Sequence, residues 1–408
     1  MIYLSTVSTS NMHLYNSTAS ISETRPLTIH LLSISVTLGI FAFFQLYSIQ
    51  AVLPLLIRDM HATVRQAGDT VGAGVLAVAL VSPFIGMLSD ARGRTPLIVG
   101  AMFFITITTA AMSLTSSIQT LTVFRFLQGL GVPGITVVTI AYIGEEFAGS
   151  DMTRMVSAYV SGSVLGGFLG RFLFGHLSTW MPWKSAFLVM AALNLIGALV
   201  VSRFLPSSRN FVANPRIVVG LKTLCRHLCN PSMLTACALG MCVLFSLVGC
   251  FTYVNLHLAA APFQFSSGEL ANVFAVYLLG VFVTPMSNKI ILLLGIRSTI
   301  LMALVVSSCG LLLTLIPLAW TIVMALALMS CGVFIAQSCT ISFIARSIQH
   351  GRSVASGLYY MTYYGGGVLG AWICGIAFTH GAWLYTVILL VSVQAFGFAI
   401  GWFFISDQ

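Results

Sequence analysis

The hydrophobic positions of this chain form long continuous runs, and short segments between the runs hold most of the polar residues. The runs approach the ~20 apolar residues that a helix needs to cross a hydrocarbon core of ~30 Å. They do not alternate between apolar and polar positions, so they predict helices rather than the strands of a membrane barrel. The predicted spans are 28–51, 68–88, 96–115, 120–144, 155–178, 183–205, 232–258, 268–293, 297–316, 320–345, 353–376 and 380–403.

The composition agrees with this pattern. Hydrophobic residues make up 58% of the 408 residues, charged residues 7%, and the mean hydropathy is +1.01. A soluble chain of this length needs far more polar surface. The formal net charge is +9, but the basic residues form no stripe interleaved with aromatic residues, which argues against a nucleic-acid partner. We expect a monomer whose partners are the lipid bilayer and a small-molecule substrate.

Two polar segments divide the chain. Residues 1–27 are rich in Ser, Thr and Asn and lack the basic start and short apolar core of a signal peptide, so we expect a disordered cytoplasmic tail. Residues 206–231 form the longest polar connection. We therefore predict two six-helix bundles, 28–205 and 232–408, joined by a cytoplasmic linker.

The distribution of Lys and Arg predicts the orientation. With the N-terminus in the cytoplasm, thirteen basic residues fall in inner segments and three, Arg58, Arg65 and Lys184, in outer loops. Cytoplasmic loops carry such an excess. Both termini are thus predicted to be cytoplasmic, in a plasma membrane of the bacterial inner-membrane type.

The two predicted halves also repeat in sequence. At an offset of 200, seven of 25 positions are identical between spans 5 and 11, and four of the seven are glycines. A duplicated bundle is typical of secondary transporters.

The connection between spans 2 and 3 holds three charges and two glycines in nine positions, Gly86 to Arg94. We predict a tight polar loop in which Gly86 permits close helix approach and Gly93 adopts a positive φ. The segment resembles the signature loop G-x-x-x-D-x-x-G-R of the major facilitator superfamily. The resemblance implies that Asp90, Arg92 and Arg94 belong to a charge network that latches the cytoplasmic side. A plain solvated loop is the alternative.

A second charged connection follows span 4 on the same predicted side, with Glu145, Glu146 and Arg154. It resembles the acidic-to-basic connection of the same superfamily. We expect its carboxylates to pair with Arg94 and to favour one conformational state, although exposed ion pairs contribute only ~0–1 kcal/mol each. A solvated loop is again the alternative.

Span 4 contains the sequence R-x-x-Q-G, with Arg125 and Gln128. It resembles a motif of drug and metabolite exporters, in which the arginine is linked to proton coupling or to the substrate. An arginine inside a span costs ~2.5–3.5 kcal/mol on insertion scales. We therefore expect it to face a wet cavity or a partner, with snorkelling to the outer surface as the alternative.

Span 5 resembles the antiporter motif G-x-x-x-G-P-x-x-G-G, but Gly167 replaces the proline and Arg171 the last glycine. These departures leave the antiporter assignment open. We expect close helix packing at the glycines of spans 5 and 11: Gly162, Gly166, Gly167, Gly170, Gly366, Gly367 and Gly370.

No Asp or Glu lies deep in a predicted span, which weakens a simple proton exchange. Two intramembrane arginines suit an anionic or zwitterionic cargo. If spans 5 and 8 meet as in the superfamily, we expect Arg171 to pair with Glu269 and to close the outer side.

Other polar and aromatic side chains inside spans are candidates for a substrate cavity, with helix packing as the alternative for each. They are Gln45, Tyr47, Gln50, Tyr253, Asn255, Gln337, Tyr359, Tyr360, Tyr363 and Tyr364.

The whole chain is thus similar to the 12-helix drug and metabolite efflux branch of the superfamily. The resemblance implies two bundles that rock about a midplane site and export a small organic molecule, with a proton or ion gradient as the candidate driving force. Uptake of an anionic metabolite, or a receptor or scaffold that has lost transport, stays open. We expect no enzyme activity, because no H-E-x-x-H and no buried carboxylate is present. We expect no cofactor and no metal, since Cys225 and Cys229 fit no strong zinc pattern.

Overall fold

The computed structural model describes residues 27–209, 226–348 and 352–405, without the side chains of Met87, Asp90, Ala91, Ala345, Arg352 and Ser353. In this part of the chain every regular element is helical. The helices are α1, Ile29–Phe44 with its continuations Ser48–Val52 and Leu53–Asp59; α2, Val64–Arg92; α3, Arg94–Met112; α4, Ile118–Glu146; α5, Gly149–Trp180; α6, Trp183–Phe204; α7, Pro231–Ala259; α8, Ser267–Val273, Phe274–Leu278 and Leu279–Leu294; α9, Ile296–Leu313; α10, Ala319–Ser347; α11, 352–380; and α12, 383–404.

Length and apolar composition let all of these helices cross a bilayer. Eleven units qualify among the described residues, if the bent α1 counts as one span. The last unit, Val354–Phe404, has 51 residues and would be about 76 Å long as one helix, more than twice the hydrocarbon core. It breaks at Gly381 and Ala382, whose φ and ψ are not helical. The unit is therefore two spans, and the predicted fold of twelve spans in two six-helix halves is confirmed.

Both ends of the first half lie on one side of the molecule. The rings of His30, at the start of α1, and Phe204, at the end of α6, are 5.4 Å apart. We call this the N-terminal side and the other the opposite side. The start of the linker lies there too, because Thr95 and Tyr142 both donate to the carbonyl oxygen of Pro206 over 3.1 Å. The linker residues 210–225 and the tail residues 1–26 lie outside the described part.

Two helices are interrupted inside the molecule. The sequence predicts α1 as one helix that ends at residue 51, but the helix stops at Phe44, bends by 45° and resumes as Leu53–Asp59. Pro54 lies in the first turn of the second segment and has no N–H to donate, so the carbonyl of Gln50 is left without a helical partner. In α8 the interruption is the 3₁₀ turn Phe274–Leu278.

The connection between α2 and α3 differs from the predicted loop. α2 continues as a helix to Arg92 and α3 begins at Arg94, so only Gly93 separates them. Polar residues such as those at the end of α2 are compatible with a helix that continues beyond the membrane. The charged residues alone therefore did not distinguish a loop from a helix. Gly93 has φ 93°, as predicted, and Gly295 has φ 79° at the equivalent junction of α8 and α9.

Glycines bring α5 against the backbone of α1. A methyl group added at Gly166 would lie 2.1 Å from the carbonyl oxygen of Ile40, and one added at Gly170 would lie 1.9 Å from that of Phe44. Gly162 makes the same approach to Val36 at 2.2 Å. Only glycine permits such contact between backbones.

The second half repeats this packing between α11 and α7. Gly366 lies against the carbonyl of Met241, and Gly370 against that of Phe245, with methyl distances of 2.1 and 2.4 Å. Gly167 and Gly367 are different, because the first leaves room for the Arg171 side chain and the second faces Leu244 and Val75. The repeated sequence thus corresponds to a repeated helix pair.

Candidate functional site

Arg125 of α4 binds the interruption of α1. Its side chain is fully buried, and Nη1 donates to the carbonyl oxygen of Gln45 over 3.0 Å. Nη2 donates to the carbonyl of Leu46, and Nη1 also donates to Oε1 of Gln128. Nε lies 3.4 Å from the carbonyl of Thr70 in α2. Carbonyls that a broken helix frees inside a membrane need donors, and Arg125 supplies them.

Gln128 and Gln45 extend this network within the first half. Gln128 donates to Oγ1 of Thr109 over 2.6 Å, and Gln45 donates to the carbonyl of Met190 over 3.0 Å. Oε1 of Gln45 is buried with no partner among the described residues. The sequence predicts a role for Arg125 in substrate binding or coupling. The structure adds a role in holding the interruption of α1, because all three nitrogens of the guanidinium donate hydrogen bonds.

Arg171 of α5 lies in an aromatic cage that both halves build. Its guanidinium carbon is 4.8 Å from the ring centre of Tyr47 in α1, and 4.7 and 4.6 Å from those of Phe274 and Tyr277 in α8. Nε donates to Oε1 of Gln50 over 2.8 Å, and Nη1 donates to the carbonyl of Gly167 over 2.6 Å. Cation–π contacts gain strength when desolvated, so the cage holds the buried cation without a carboxylate.

The predicted pair of Arg171 and Glu269 is not formed in the structure. Glu269 is exposed and accepts from the backbone N and from Oγ of Ser266, both over 2.8 Å. It belongs to the capping box at the start of α8, where its charge faces the positive helix end. Helices α5 and α8 do meet, but through the aromatic cage and other contacts rather than through this ion pair.

Gln50 connects the two halves at the same level. Its Nε2 donates to Oγ1 of Thr252 in α7 over 2.9 Å, while its Oε1 accepts from Arg171. Its backbone carbonyl, which Pro54 leaves free, accepts from Nδ2 of Asn255 over 3.1 Å. The interruption of α1 is therefore bound by Arg125 from its own half and by α7 from the other.

The hydrogen bonds between the halves lie on the side away from the N-terminus. Among the described residues, the hydrogen bonds between halves join Gln50 to Thr252 and Asn255, and His176 to Asn272 over 3.0 Å. Gly175 of α5 approaches Ala271 of α8 so closely that a methyl group would lie 2.5 Å from its Cβ. The opposite side is closed by these contacts.

Tyr253 adds to this closure. Its hydroxyl donates to the carbonyl of Ala371 over 2.5 Å and lies against Gly68 of α2. Two of the predicted cavity residues, Tyr253 and Asn255, thus belong to the contact between the halves.

Comparison with known proteins identifies the fold. The sequence profile of the Major Facilitator Superfamily matches residues 36–371. The chain belongs to the Major Facilitator Superfamily. The inner membrane transport protein YnfM of Escherichia coli K12 is 29% identical over 349 residues, which is 85% of this chain and 83% of YnfM. The multidrug transporter MdfA of Yersinia pestis is 26% identical over 160 residues, or 39% of each chain.

A solved structure of the superfamily supports the same fold. It is a bacterial homologue of the human lysosomal transporter Spinster, in an inward-facing and unoccupied conformation. Its TM-score is 0.74 at 14% identity, with 94% of this chain and 99% of that chain covered. The protein is therefore an integral membrane transporter of this superfamily, and nothing in the comparisons indicates catalysis.

Tyrosines of α11 form a wall next to the aromatic cage. Tyr363 lies 5.7 Å from Tyr359 and 5.5 Å from Tyr364 between ring centres. Tyr47 of the cage lies within electrostatic range of Tyr363 and Tyr364. The hydroxyl of Tyr359 is buried and has no partner among the described residues. Tyr360, at 37% exposure, is the most open of the wall.

The superfamily's charged motifs lie on the N-terminal side, as their sequence predicts. Arg94 is buried, and its Nε lies 3.2 and 3.1 Å from the two carboxylate oxygens of Glu145. The guanidinium also donates to Oγ of Ser89. This pair joins α3 to α4 within the first half. The side chain of Asp90 lies outside the described residues, while those of Arg92 and Arg154 are exposed.

Glu146 has a different role from its neighbour. It is buried, and Oε1 accepts from Oγ of Ser208 over 2.9 Å and from the backbone N of Arg209 over 2.6 Å. The carboxylate therefore holds the start of the linker against the first half. Sequence reasoning grouped both glutamates with Arg94 because successive helical residues cannot be assigned to different partners from spacing alone.

Some site residues were missed or remain apart. Gln337 of α10 is partly exposed and makes no hydrogen bond with the rest of the described chain. Phe274, Tyr277 and Thr252 were not predicted, although an aromatic pair at i and i+3 in a span was a usable signal for the first two. In the part of the chain that is described, no three potential metal ligands come together; Cys225 lies outside that part.

Proposed function

We propose that this transporter exports a small organic molecule by alternating access. The observation that carries the proposal is an asymmetry between the two sides: among the described residues, the hydrogen bonds that join the halves lie on the side away from the N-terminus. A site between the interrupted helices α1 and α8 then communicates with the N-terminal side. Transporters of this kind bind cargo near the midplane at discontinuous helices.

The excess of basic residues supports an orientation with the N-terminal side in the cytoplasm. The sequence assigns thirteen Lys and Arg residues to predicted inner segments and three to predicted outer loops. With the names of the relatives, this favours a bacterial inner membrane with both termini cytoplasmic. The state described here is then open to the cytoplasm, from which an exporter loads.

Export is favoured by two observations. R-x-x-Q-G of α4 is intact at Arg125 and Gln128, and among the similar proteins are a multidrug transporter and the chloramphenicol resistance protein CraA of Acinetobacter baumannii, 27% identical over 161 residues. Proton exchange is the proposed driving force. The charged rim of Asp90, Arg92, Arg94, Glu145 and Arg154 is proposed to set which state is populated, and the protein to act as a monomer.

Uptake of an anionic metabolite is the second candidate. It is favoured by the two buried arginines, neither of which is paired with a carboxylate of a described residue. A receptor without transport would retain the site but would not need a closure on one side only.

The test is flux in liposomes that contain the purified full-length protein. Chloramphenicol, ethidium, glucose and citrate are offered with and without an imposed pH gradient. We expect gradient-driven movement of at least one drug from the face that carries the termini, located by protease accessibility of a terminal tag. Citrate movement alone would favour the second candidate, and no movement of any solute, with binding intact, would contradict both.

A further inference from the structure

The buried charges of the spans are unbalanced. Arg125 and Arg171 are 0% and 1% exposed, and none of their hydrogen-bond partners is a carboxylate. Among the described residues, the carboxylate that enters a span most deeply is Asp69 in the second turn of α2, on the opposite side. A cation in a membrane interior is costly and is usually paired or functional.

The two arginines differ in what they leave unsatisfied. All three nitrogens of Arg125 donate to carbonyl oxygens, three on the backbone and one on Gln128. In Arg171 only Nε and Nη1 donate, one bond each, and no described residue accepts from Nη2. A guanidinium has five N–H groups, so Arg171 keeps three donors without an acceptor among the described residues, one on Nη1 and two on Nη2.

The aromatic cage does not supply acceptors for the Nη1–Nη2 edge of Arg171, so this edge is available to a ligand. Tyr47, Phe274 and Tyr277 contact the guanidinium at 4.6 to 4.8 Å from their ring centres, and ring faces cannot satisfy N–H donors as oxygen atoms do. A guanidinium edge matches the two oxygens of a carboxylate in planar, bidentate geometry. Stacking on rings fixes the plane in advance, which reduces the entropy lost on binding.

The surroundings of the edge suit an apolar body. Tyr47 contacts Arg171 and lies in electrostatic range of Tyr363 and Tyr364, which belong to the tyrosine wall. The wall also contains the buried and unpartnered hydroxyl of Tyr359. Ligand sites typically combine apolar or aromatic walls with a few polar groups that fix orientation.

We propose that the cargo is an aromatic organic anion. Its carboxylate occupies the Nη1–Nη2 edge of Arg171, and its flat body lies against Tyr47 and the tyrosines of α11. The proposal rests on the proposed function, that the protein transports a small organic molecule, and it names the charge and shape of that molecule. Arg125 has no part in recognition, because each of its three nitrogens already donates to a carbonyl oxygen.

The experiment measures binding to the full-length protein in nanodiscs by isothermal titration at pH 7.5. The probes are benzoate, 4-hydroxybenzoate, phenylacetate, cinnamate and indole-3-acetate, each with its neutral primary amide of nearly equal shape. We expect at least one acid to bind about 30-fold more tightly than its amide, the size of a hydrogen bond to a charged group. Arg171→Gln should remove this preference, and Arg171→Lys should retain part of it.

Two controls keep the result specific. Arg58→Gln removes an exposed cation on the opposite side and should leave the preference unchanged. Size-exclusion profiles and amide binding report whether Arg171→Gln is folded; if that variant does not fold, the preference in Tyr277→Leu and Arg171→Lys decides. The proposal is overturned if no acid is preferred to its amide, or if the preference survives the loss of the Arg171 guanidinium.

The outcomes also separate this inference from the proposed function. Counterflow of chloramphenicol and of the tightest acid is measured in the same liposomes. Movement of chloramphenicol without any Arg171-dependent acid binding supports transport and refutes the anion. Arg171-dependent binding of an acid, with no counterflow of either probe, supports the anion site and refutes transport.

Discussion

The guanidinium of Arg125 donates to the carbonyl oxygen of Gln45 over 3.0 Å, at the first residue after the helical part of α1. A neighbouring helix thus adds a donor to those that Ser48 of α1 gives to the same carbonyl, through Oγ over 3.0 Å and through its backbone N over 3.4 Å. Since a break in a spanning helix otherwise leaves carbonyl groups without partners in lipid, the shape of α1 depends on the charge of α4.

Replacement of Arg125 by alanine should therefore destabilise the fold. The carbonyls of Gln45 and Leu46 would each lose the donor from Arg125, and we expect the free energy of unfolding to fall by about 3 kcal/mol. Arg125→Lys should recover only part, because one ammonium cannot reach every acceptor. Thermal unfolding is followed by thiol labelling of the buried Cys250 and Cys374. Arg58→Ala is the control, and an equal loss there would contradict the assignment.

Gly166 should tolerate no side chain. Gly166→Ala places a methyl group 2.1 Å from the carbonyl oxygen of Ile40, and we expect a loss of about 3 kcal/mol or a failure to fold, since overpacked backbones must separate. Gly100 in α3 has no neighbour within 4 Å. Gly100→Ala should be neutral or should stabilise by up to ~1 kcal/mol through helix propensity. Thiol labelling on heating measures both, and similar values for the two would refute the packing argument.

The two glycines at the ends of the signature segment should respond in opposite ways. Gly93 has φ 93° and ψ 155°, a region that side chains rarely enter, so Gly93→Ala should cost about 1–3 kcal/mol. Gly86 lies inside α2, and a methyl group added there would have no neighbour within 4 Å, so the close helix approach predicted at Gly86 is not formed. Gly86→Ala should therefore stabilise by a few tenths to ~1 kcal/mol. Unfolding in mixed micelles distinguishes them; a stabilising Gly93→Ala would mean that the junction is not rigid.

Arg94 and Glu145 should be energetically coupled. The pair is partly buried, with 8% and 29% of the side chains exposed, so we expect a coupling of about 1 kcal/mol in a double-mutant cycle of Arg94→Gln and Glu145→Gln. The same cycle with Arg154→Gln and Glu145→Gln should give less than about 0.5 kcal/mol, because Arg154 is exposed. Equal coupling in both cycles would indicate a diffuse charge effect instead of a defined pair.

A covalent bond across the closed side should stop transport. His176 and Asn272 are hydrogen-bonded at 3.0 Å, so His176→Cys with Asn272→Cys should form a disulfide on oxidation, in a background with the exposed Cys229 and Cys309 changed to serine. We expect flux to fall below a tenth of the reduced value and to return with reductant. Each single cysteine is the control, and full flux after complete cross-linking would exclude opening at this contact.

The fold was accessible from sequence because lipid imposes one simple requirement. Continuous apolar runs located the spans to within a few residues, as for α6, predicted as 183–205 and found as Trp183–Phe204. The interruptions were not located. Pro54 marks the first one only indirectly, and Phe274–Leu278 contains neither glycine nor proline, so its shape depends on tertiary contacts.

The sequence identified several residues of the candidate site but not the contacts between them. Arg171, Tyr47 and Gln50 were named from their rarity in spans, and the structure brings them together. Charge complementarity suggested Glu269 as the partner of Arg171, whereas Glu269 caps its own helix. The capping box stabilises the Glu269 carboxylate, and cation–π contacts stabilise the Arg171 guanidinium, so the two do not need each other. The spacing of residues in the sequence does not indicate which of these partners each group takes.

The glycine contacts of α5 with α1, and of α11 with α7, determine where the molecule can bend. At these positions backbone meets backbone, so no side-chain rotamers are available to absorb a displacement. Each helix pair should therefore move as a single rigid unit. We therefore expect the deformation of a transport cycle to concentrate at the interruptions of α1 and α8, which lie outside these glycine contacts and beside the cage of Arg171. A cargo that touches these interruptions acts directly on the part of the protein that has to move.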